Sequence, residues 1–168
     1  MWDGEDHADP QLGVLPQYYL TNLAVVVQLS EIWILELRMD IVIDTSALIA
    51  VIVGEPERAN IITITAGNTL IGPGSIPWEI GNAFSAMFKQ DRLSLDDAEK
   101  GVEIFQSIPI RYVKTDITNA LRLSKEINMY AYDAYLLDCA LRYKAPLLTL
   151  DLKLKAAAQS IKIDALEV

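Results

Sequence analysis

From Met39 onward, short apolar runs alternate with longer segments in which apolar residues recur at helical spacing. Each short run is bounded by polar or turn-forming residues, which predicts a β-strand, and the longer segments predict helices. This alternation is typical of an α/β fold in which helices pack on a mostly parallel sheet. Five strands are predicted, over the runs DIVID, TLIGP, IRYVK, PLLTL and IKIDAL at residues 40–44, 69–73, 110–114, 146–150 and 161–166.

Helix boundary signals lie between the predicted strands. The segment TSALIAVIV is followed by Gly54, which predicts a helix C-terminus at that point. Ser75 is a predicted N-cap, and the helix after it has apolar side chains on one face at Ile76, Ile80, Ala83, Phe84 and Met87. The pattern Ser94-x-x-Asp97 and the residue Asp116 predict two further helix starts. Helices are also predicted over EPERANIITITA and DAYLLDCALRYKA.

The first 38 residues follow a different pattern. A polar, turn-rich start is followed by an apolar stretch without a clear period. We interpret residues 1–38 as an upstream extension, which could reflect the choice of start codon, and residues 39–168 as the domain proper. The alternative is an appended helix that covers an apolar face or a partner chain. The apolar run LAVVVQLSEIWILEL contains polar interruptions and falls short of the roughly 20 residues of a bilayer span, so no membrane segment is predicted.

Composition agrees with one compact domain, because 52% of the 168 residues are apolar and 22% are charged. The one cysteine, Cys139, cannot form an internal disulfide, and the sequence shows no secretory leader pattern. Together these two observations predict a cytoplasmic protein. The net charge of −9 is divided into −5 in residues 1–38 and −4 in the remainder. An acidic protein attracts nucleic acid poorly at long range, so such contact would need local bases or bound cations.

Several kinds of catalytic site are excluded by the residues that the chain lacks. The only histidine is His7, in the extension, so neither a Ser-His-Asp arrangement nor a two-histidine ribonuclease is available. One Cys and one His cannot build the usual zinc site. The nucleotide-binding patterns GxxxxGK[ST] and GxGxxG are absent from the sequence. Any catalysis must therefore depend on carboxylates.

Four acids occupy predicted strand ends and helix starts, namely Asp44, Glu79, Asp133 and Asp151. Asp44 by itself would be interpreted as a helix N-cap, for which Asp is a preferred residue. Its case changes because the ligand crevice of a parallel α/β fold lies at the carboxyl ends of the strands, where the other acids also fall. Converging carboxylates repel each other unless a cation joins them. Oxygen ligands suit Mg²⁺ or Mn²⁺, which can activate water and neutralise charge on a phosphodiester.

The stretches VIDTSALIA, PWEIGNAF and YAYDAYLLDCALRYKAPLLTLD together resemble the PIN domain, and especially the VapC-type ribonuclease toxins, over residues 39–168. The resemblance implies a three-layer α/β/α fold around a central parallel sheet, with an acidic pocket for Mg²⁺ or Mn²⁺. By position, the family's catalytic and metal-binding acids match Asp44, Glu79, Asp133 and Asp151. Thr45 or Ser46 matches the hydroxyl beside the first acid, and Thr149 opens the Thr-x-Asp element as a further auxiliary candidate.

The resemblance also implies a function. In that family a metal-activated water cleaves an RNA phosphodiester, leaving a 5′-phosphate and a 3′-hydroxyl, and the toxins form dimers that a cognate antitoxin inhibits. The expected function is thus a metal-dependent endoribonuclease of a toxin–antitoxin pair. The alternatives are a PIN-type nuclease in RNA processing or acting on DNA, and a catalytically silent PIN-fold binding or scaffold protein.

Other chemistry-bearing residues have simpler interpretations. Asp138 lies about 140° around its helix from Asp133 and is expected to be a solvated or pocket-rim acid. Core packing is expected for the apolar-face residues Cys139, Trp78, Phe84 and Phe105. Two interpretations remain for Tyr130 and Tyr132, namely stacking on a nucleobase and ordinary packing. Two interpretations also remain for four basic residues, contact with phosphate and simple exposure to solvent; these residues are Arg142, Lys144, Lys153 and Lys155.

Overall fold

The computed structural model describes residues 38–168, and Met39–Val168 form one compact unit. The predicted extension over residues 1–38 lies, apart from Arg38, outside the described residues. Within residues 38–168 the elements follow in the order β1 (Asp40–Ile43), α1 (Thr45–Val53), α2 (Arg58–Thr65), β2 (Thr69–Pro73), α3 (Ile76–Lys89), α4 (Leu95–Ser107), β3 (Ile110–Val113), α5 (Ile117–Ile127), α6 (Ala131–Tyr143), β4 (Leu147–Leu148) and α7 (Leu152–Ser160).

The described strands form one parallel sheet in the order β3-β2-β1-β4. β1 pairs with β2 through Asp40 opposite Thr69, and with β4 through Val42 opposite Leu147. Parallel neighbours need crossover connections, and the helices between the strands supply them. The predicted α/β fold with a parallel sheet is confirmed.

The predicted fifth strand, IKIDAL, is wrong. Helix α7 continues to Ser160, and the chain then turns through Lys162, whose φ of 63° is left-handed and incompatible with a strand. Only Ala165 forms a bridge, with Leu147, supported by two backbone hydrogen bonds. Because β4 has only two residues, it offers too short an edge for a longer ladder.

The core lies on both faces of the sheet. Ile41 and Ile43 of β1 face the cluster that helices α1, α3 and α4 cover, whereas Val42 faces the cluster that α6 and α7 cover. Successive strand side chains point to opposite faces, so burial of all three requires helices on both sides. The described chain therefore has the three layers of an α/β/α fold.

Most predicted helix boundaries are confirmed. Gly54 ends α1 with a left-handed φ of 80°, and Ser94 and Asp116 cap their helices by accepting hydrogen bonds from the backbone N–H groups of Asp97 and Asn119. Ser75 precedes α3, but its side chain makes no capping bond within the described chain. Among the helices of this part of the chain, none has both the length and the apolar character needed to cross a membrane.

Candidate active site

The carboxyl ends of β1 and β4 lie side by side because the two strands pair directly. Asp44 follows β1 and begins the turn into α1, while Thr149 and Asp151 lie between β4 and α7. A hydrogen bond of 2.7 Å joins Thr149 Oγ1 to Asp44 Oδ2 across 105 residues of sequence. The parallel pairing therefore brings together two predicted site segments that are far apart in the chain.

Asp44 occupies the N-cap position of α1 without serving as its cap. In the described chain its carboxylate accepts no hydrogen bond from the backbone of α1. Instead, Ser46 Oγ and Thr149 Oγ1 both donate to Asp44 Oδ2. The residue is only 7% exposed, and burying an ionised carboxylate is costly unless it is paired. The interpretation of Asp44 as a simple helix cap is therefore wrong.

The two hydroxyls that hold Asp44 are themselves oriented by backbone groups. Ser46 Oγ accepts a hydrogen bond of 2.9 Å from the N–H of Leu150, and Thr149 Oγ1 accepts one of 3.0 Å from the N–H of Asp151. Because each oxygen already accepts an N–H, its own proton is directed at Asp44 Oδ2. Both donors contact Oδ2, and no residue among 38–168 donates a hydrogen bond to Asp44 Oδ1.

Glu79 lies one turn into α3 and is joined to the start of α1. Thr45 Oγ1 donates a hydrogen bond of 3.1 Å to Glu79 Oε2. The other oxygen, Oε1, is buried and has no hydrogen-bond partner in the described part of the chain. Burial raises the pKa of Glu79 above its ordinary value, the hydroxyls of Ser75 and Thr45 oppose this effect, and the nearby charge of Asp44 raises the pKa further.

Asp133, in the first turn of α6, lies within electrostatic reach of the other three acids, and the region around these four acids is the candidate acid pocket. Burial raises the pKa of Asp133, and the negative charges of Asp44, Asp151 and Glu79 raise it further, in that order. Coulombic influence falls with separation, so all three acids lie within electrostatic reach of Asp133. Its own carboxylate accepts no hydrogen bond from any residue that the structure describes.

Asp151 is the acid of the four that does cap a helix. Its Oδ1 accepts hydrogen bonds from the backbone N–H groups of Lys153 at 2.7 Å and Leu154 at 3.1 Å, at the start of α7. The residue is exposed, and no donor within the described part of the chain bonds to its Oδ2. One oxygen of Asp151 is therefore structural and the other is free to take a ligand.

As they stand, no three of the acidic side chains in residues 38–168 are placed to hold one metal ion together. The donor set nevertheless fits Mg²⁺ or Mn²⁺, because it consists of oxygen atoms and each acid keeps one oxygen without a donor from the described chain. The residue types therefore have the ligand chemistry of a divalent cation site.

Asp138 corrects one expectation from the sequence. It is 0% exposed, so the prediction of a solvated or pocket-rim acid is wrong. Its carboxylate accepts hydrogen bonds from the N–H of Asp116 at 3.0 Å and from Asn119 Nδ2 at 2.7 Å, and Arg142 Nη1 lies 3.5 Å away. Asp138 therefore joins α6 to the start of α5.

Trp78 corrects another expectation, because its side chain is 73% exposed and does not pack in the core. Burial is confirmed for Cys139, Phe84 and Phe105. Trp78 and the exposed Tyr132 line a cleft next to Glu79 together with Asn82, which the sequence analysis did not select. The signal for Asn82 was its position three residues after Glu79, on the same face of α3.

The basic residues near the pocket divide into two groups. Arg142 donates to the carbonyl of Lys114 at 2.8 Å in addition to facing Asp138, and Lys155 pairs with Glu167 at 2.6 Å. These two side chains have structural partners. Phosphate contact by Lys144 or Lys153 stays a prediction.

Comparisons with known proteins found one matching family and similar solved structures. The PIN domain family matches residues 41–159. The fold is similar to that of PAE2754 from Pyrobaculum aerophilum, with a TM-score of 0.56 and 19% identity over 71% of this chain and 79% of the other. It is also similar to a structure of VapBC2 from Rickettsia felis bound to a DNA fragment from their promoter, with a TM-score of 0.55 and 19% identity over 77% of this chain and 98% of the other. No curated protein sequence matches the chain.

Proposed function

The chain belongs to the PIN-domain family, and from this membership we propose that it is a metal-dependent endoribonuclease, the toxin of a toxin–antitoxin pair. PIN domains are generally nucleases, and the family match supports that reaction class. The observation that carries the proposal is Asp44, a buried carboxylate that the hydroxyls of Ser46 and Thr149 both contact. The charges of Asp44, Asp151 and Glu79 raise the pKa of Asp133, which supports a site that all four acids would share.

The residues proposed to hold Mg²⁺ or Mn²⁺ are Asp44, Glu79, Asp133 and Asp151. When bound, such an ion would activate water and neutralise charge on the scissile phosphodiester. The ion also resolves the charge problem, because a protein of net charge −9 attracts a polyanion poorly. Both Mg²⁺ and Mn²⁺ suit a site that is built from oxygen ligands and leaves room for waters and a substrate phosphate.

The chain's own contribution is to orient the acids. Ser46 and Thr149 fix one oxygen of Asp44, and Thr45 fixes one oxygen of Glu79, so the second oxygen of each acid has a defined direction. Preorganised groups of this kind need little rearrangement when the reaction occurs. The raised pKa values of Glu79 and Asp133 mean that protons compete with a cation for these oxygens, so metal affinity is expected to fall at acidic pH.

A partner and a compartment complete the proposal. The likeness to VapBC2, added to the resemblance to VapC-type toxins, supports a cognate antitoxin, homodimer formation and a cytoplasmic location. A second candidate is a PIN-type nuclease in RNA processing or acting on DNA. A catalytically silent binding protein is the third, and it is disfavoured because all four acids are present and three carry oxygens held by chain donors.

The test is cleavage of end-labelled single-stranded RNA by the full chain with Mn²⁺ or Mg²⁺, compared with Asp133→Asn. The matched control is Asp40→Asn, because Asp40 lies at the opposite end of β1 and pairs with Arg111. We expect metal-dependent products with 5′-phosphates, lost in Asp133→Asn and retained in Asp40→Asn. Cleavage of DNA alone, or cleavage that survives Asp133→Asn, would contradict the proposal.

Expression in bacterial cells separates the first two candidates. A toxin should stop growth, and Asp133→Asn should restore it, whereas an RNA-processing nuclease should cleave RNA in the test tube without arresting growth. Metal binding without cleavage of any RNA or DNA would favour the silent scaffold.

A further inference from the structure

Two exposed aromatic side chains stand beside the acid pocket. Trp78 is 73% exposed although its helix neighbours Ile76 and Ile80 are fully buried, and Tyr132 is 53% exposed. Single exposed aromatic residues are common and need no explanation. These two differ because they come from separate helices, α3 and α6, and line the same cleft. Each directly precedes an acid of the pocket, Trp78 before Glu79 and Tyr132 before Asp133.

The cleft has the dimensions and lining of a binding site for a small planar group. Its volume is about 510 Å³, within the range of about 300–1,000 Å³ that small-molecule sites occupy. Thr45, Glu79 and Asn82 place hydroxyl, carboxylate and amide groups around the two aromatic rings. A second depression of about 440 Å³ also includes Trp78 and Tyr132, so the pair forms a wall between the two depressions.

The orientation of the pair is supported by the elements that carry it. The ring of Tyr132 meets Tyr135 edge to face, with centroids 5.8 Å apart and an interplanar angle of 82°, a favoured aromatic geometry. Trp78 is held on the first turn of α3, where its backbone N–H bonds to the carbonyl of Ser75 at 2.9 Å. Both aromatic groups are therefore presented by ordered helices.

We propose that Trp78 and Tyr132 form a stacking platform for an unpaired nucleobase of single-stranded RNA, next to the phosphodiester that enters the acid pocket. The inference rests on the proposed function, since it names the form of RNA that the site accepts. Bases in a duplex are stacked on each other, whereas an unpaired base exposes the π-face that aromatic side chains bind. Asn82 supplies both a donor and an acceptor for the edge of the base.

Charge favours this occupant. Apart from what a bound cation supplies, the acidic chain has little electrostatic attraction for the phosphate backbone, so contacts that do not depend on charge would add to its affinity for a nucleic acid. Base stacking is such a contact, and it tolerates different bases. A protein segment could also place an apolar side chain on the two rings, but it would leave Glu79 Oε1 and the amide of Asn82 without partners, whereas Thr45 already bonds to Glu79 Oε2. The cleft therefore fits a nucleobase better than an apolar peptide.

The experiment measures RNA affinity by fluorescence anisotropy with a labelled single-stranded RNA and its duplex, using the full chain with Mn²⁺. All proteins carry Asp133→Asn so that the probe is not cut. The test variants are Trp78→Ala, Trp78→Phe and Tyr132→Ala. The control is Phe88→Ala, since Phe88 is a partly exposed aromatic residue on the same helix, ten positions and about 15 Å further along its axis. Circular dichroism checks that each variant is folded.

We expect Trp78→Ala and Tyr132→Ala each to weaken single-strand binding by between about 5- and 150-fold. Trp78→Phe should keep most of the affinity because it retains an aromatic face. Phe88→Ala should leave the affinity within about twofold. The slope of affinity against salt concentration should not change in Trp78→Ala, because no phosphate contact is removed.

Unchanged single-strand affinity in Trp78→Ala and Tyr132→Ala would overturn the platform and point to a protein segment as the occupant of the cleft. Equal losses for the duplex would also overturn it, because paired bases expose no face. These results differ from a failure of the proposed function. If the chain is a nuclease and only the platform is wrong, the unsubstituted chain and Trp78→Ala will cleave single-stranded RNA equally fast. If the chain is not a nuclease, neither protein will cleave RNA, and both proposals fail.

Discussion

The same substitution at two positions of α6 should have opposite effects on stability. Asp138 and Asp133 lie five residues apart, but Asp138 is fully buried and Asp133 is half-buried at the acid pocket. Asp138→Asn keeps the shape of the side chain while replacing one acceptor oxygen with an NH₂ group. That group would face a donor, either the N–H of Asp116 or the amide of Asn119, and the charge opposite Arg142 would be lost.

The size of the loss follows from these contacts. Removing one partner of a buried ion pair costs about 3–5 kcal/mol. Because Arg142 is itself partly exposed, its remaining charge is hydrated, so the lower end, about 3 kcal/mol, is expected. For a chain of this size, each kcal/mol lowers the melting temperature by about 2–4 °C, so Asp138→Asn should melt about 6–12 °C lower.

The assay is urea unfolding of the metal-free full chain, followed by circular dichroism, with Asp133→Asn as the matched control. Asp133→Asn removes a charge that burial and three neighbouring acids disfavour, so at pH 7 it should be at least as stable as the unsubstituted chain. It should also abolish RNA cleavage. Equal stability losses in the two variants, or no loss in Asp138→Asn, would refute the assignment of Asp138 as structural and Asp133 as functional.

Four further predictions concern the pocket, the core and a helix cap. Because the pKa values of Glu79 and Asp133 are raised, the folded state binds more protons than the unfolded state, and the contribution of these acids to stability falls as the pH rises above their ordinary pKa values of 4.5 and 3.8. Combining Glu79→Gln with Asp133→Asn should therefore flatten the plot of urea-derived stability against pH in this range. Mn²⁺ at 100 times its dissociation constant should raise the free energy of unfolding by about 2.7 kcal/mol, a gain that the double variant should lose. Gly101→Ala would place a Cβ 2.8 Å from the ring of Phe84, so overpacking should lower the free energy of unfolding by about 1–3 kcal/mol in the same assay. Replacing Gly by Ala in a helix usually raises the free energy of unfolding, and a rise here would contradict this packing. Ser94→Ala should cost about 1 kcal/mol by removing the cap of α4, and a loss below about 0.3 kcal/mol would contradict it.

The sheet could be predicted because its central strand is a short, continuous apolar run. Ile41, Val42 and Ile43 are all buried, as a strand covered on both faces requires. The run IKIDAL begins with the alternating apolar and polar residues of a half-buried strand but does not form one. Its failure depends on the left-handed backbone at Lys162 and on the shortness of β4, and hydrophobic spacing contains neither piece of information.

The placement of a candidate residue was predictable where its position along the chain determines its location, and less so where partners from other elements determine it. Asp44 follows a buried strand, so its place at the carboxyl edge of the sheet was accessible from sequence. The burial of Asp138 was not, because its donors come from the start of α5. Trp78 could have been placed correctly, since two helical positions rotate it by about 200° from the buried Ile76.

The most direct test of the acid pocket is calorimetric titration of Mn²⁺ into the full chain, with Asp133→Asn and the control Asp40→Asn. Loss of residues that only support metal ligands lowers affinity by about 10–100-fold, so loss of a ligand should cost at least as much. We predict clear binding that weakens at least tenfold in Asp133→Asn and stays unchanged in Asp40→Asn. Equal binding by all three proteins would contradict the assignment of Asp133 to a metal site, and an absence of binding in all three would contradict the metal site itself.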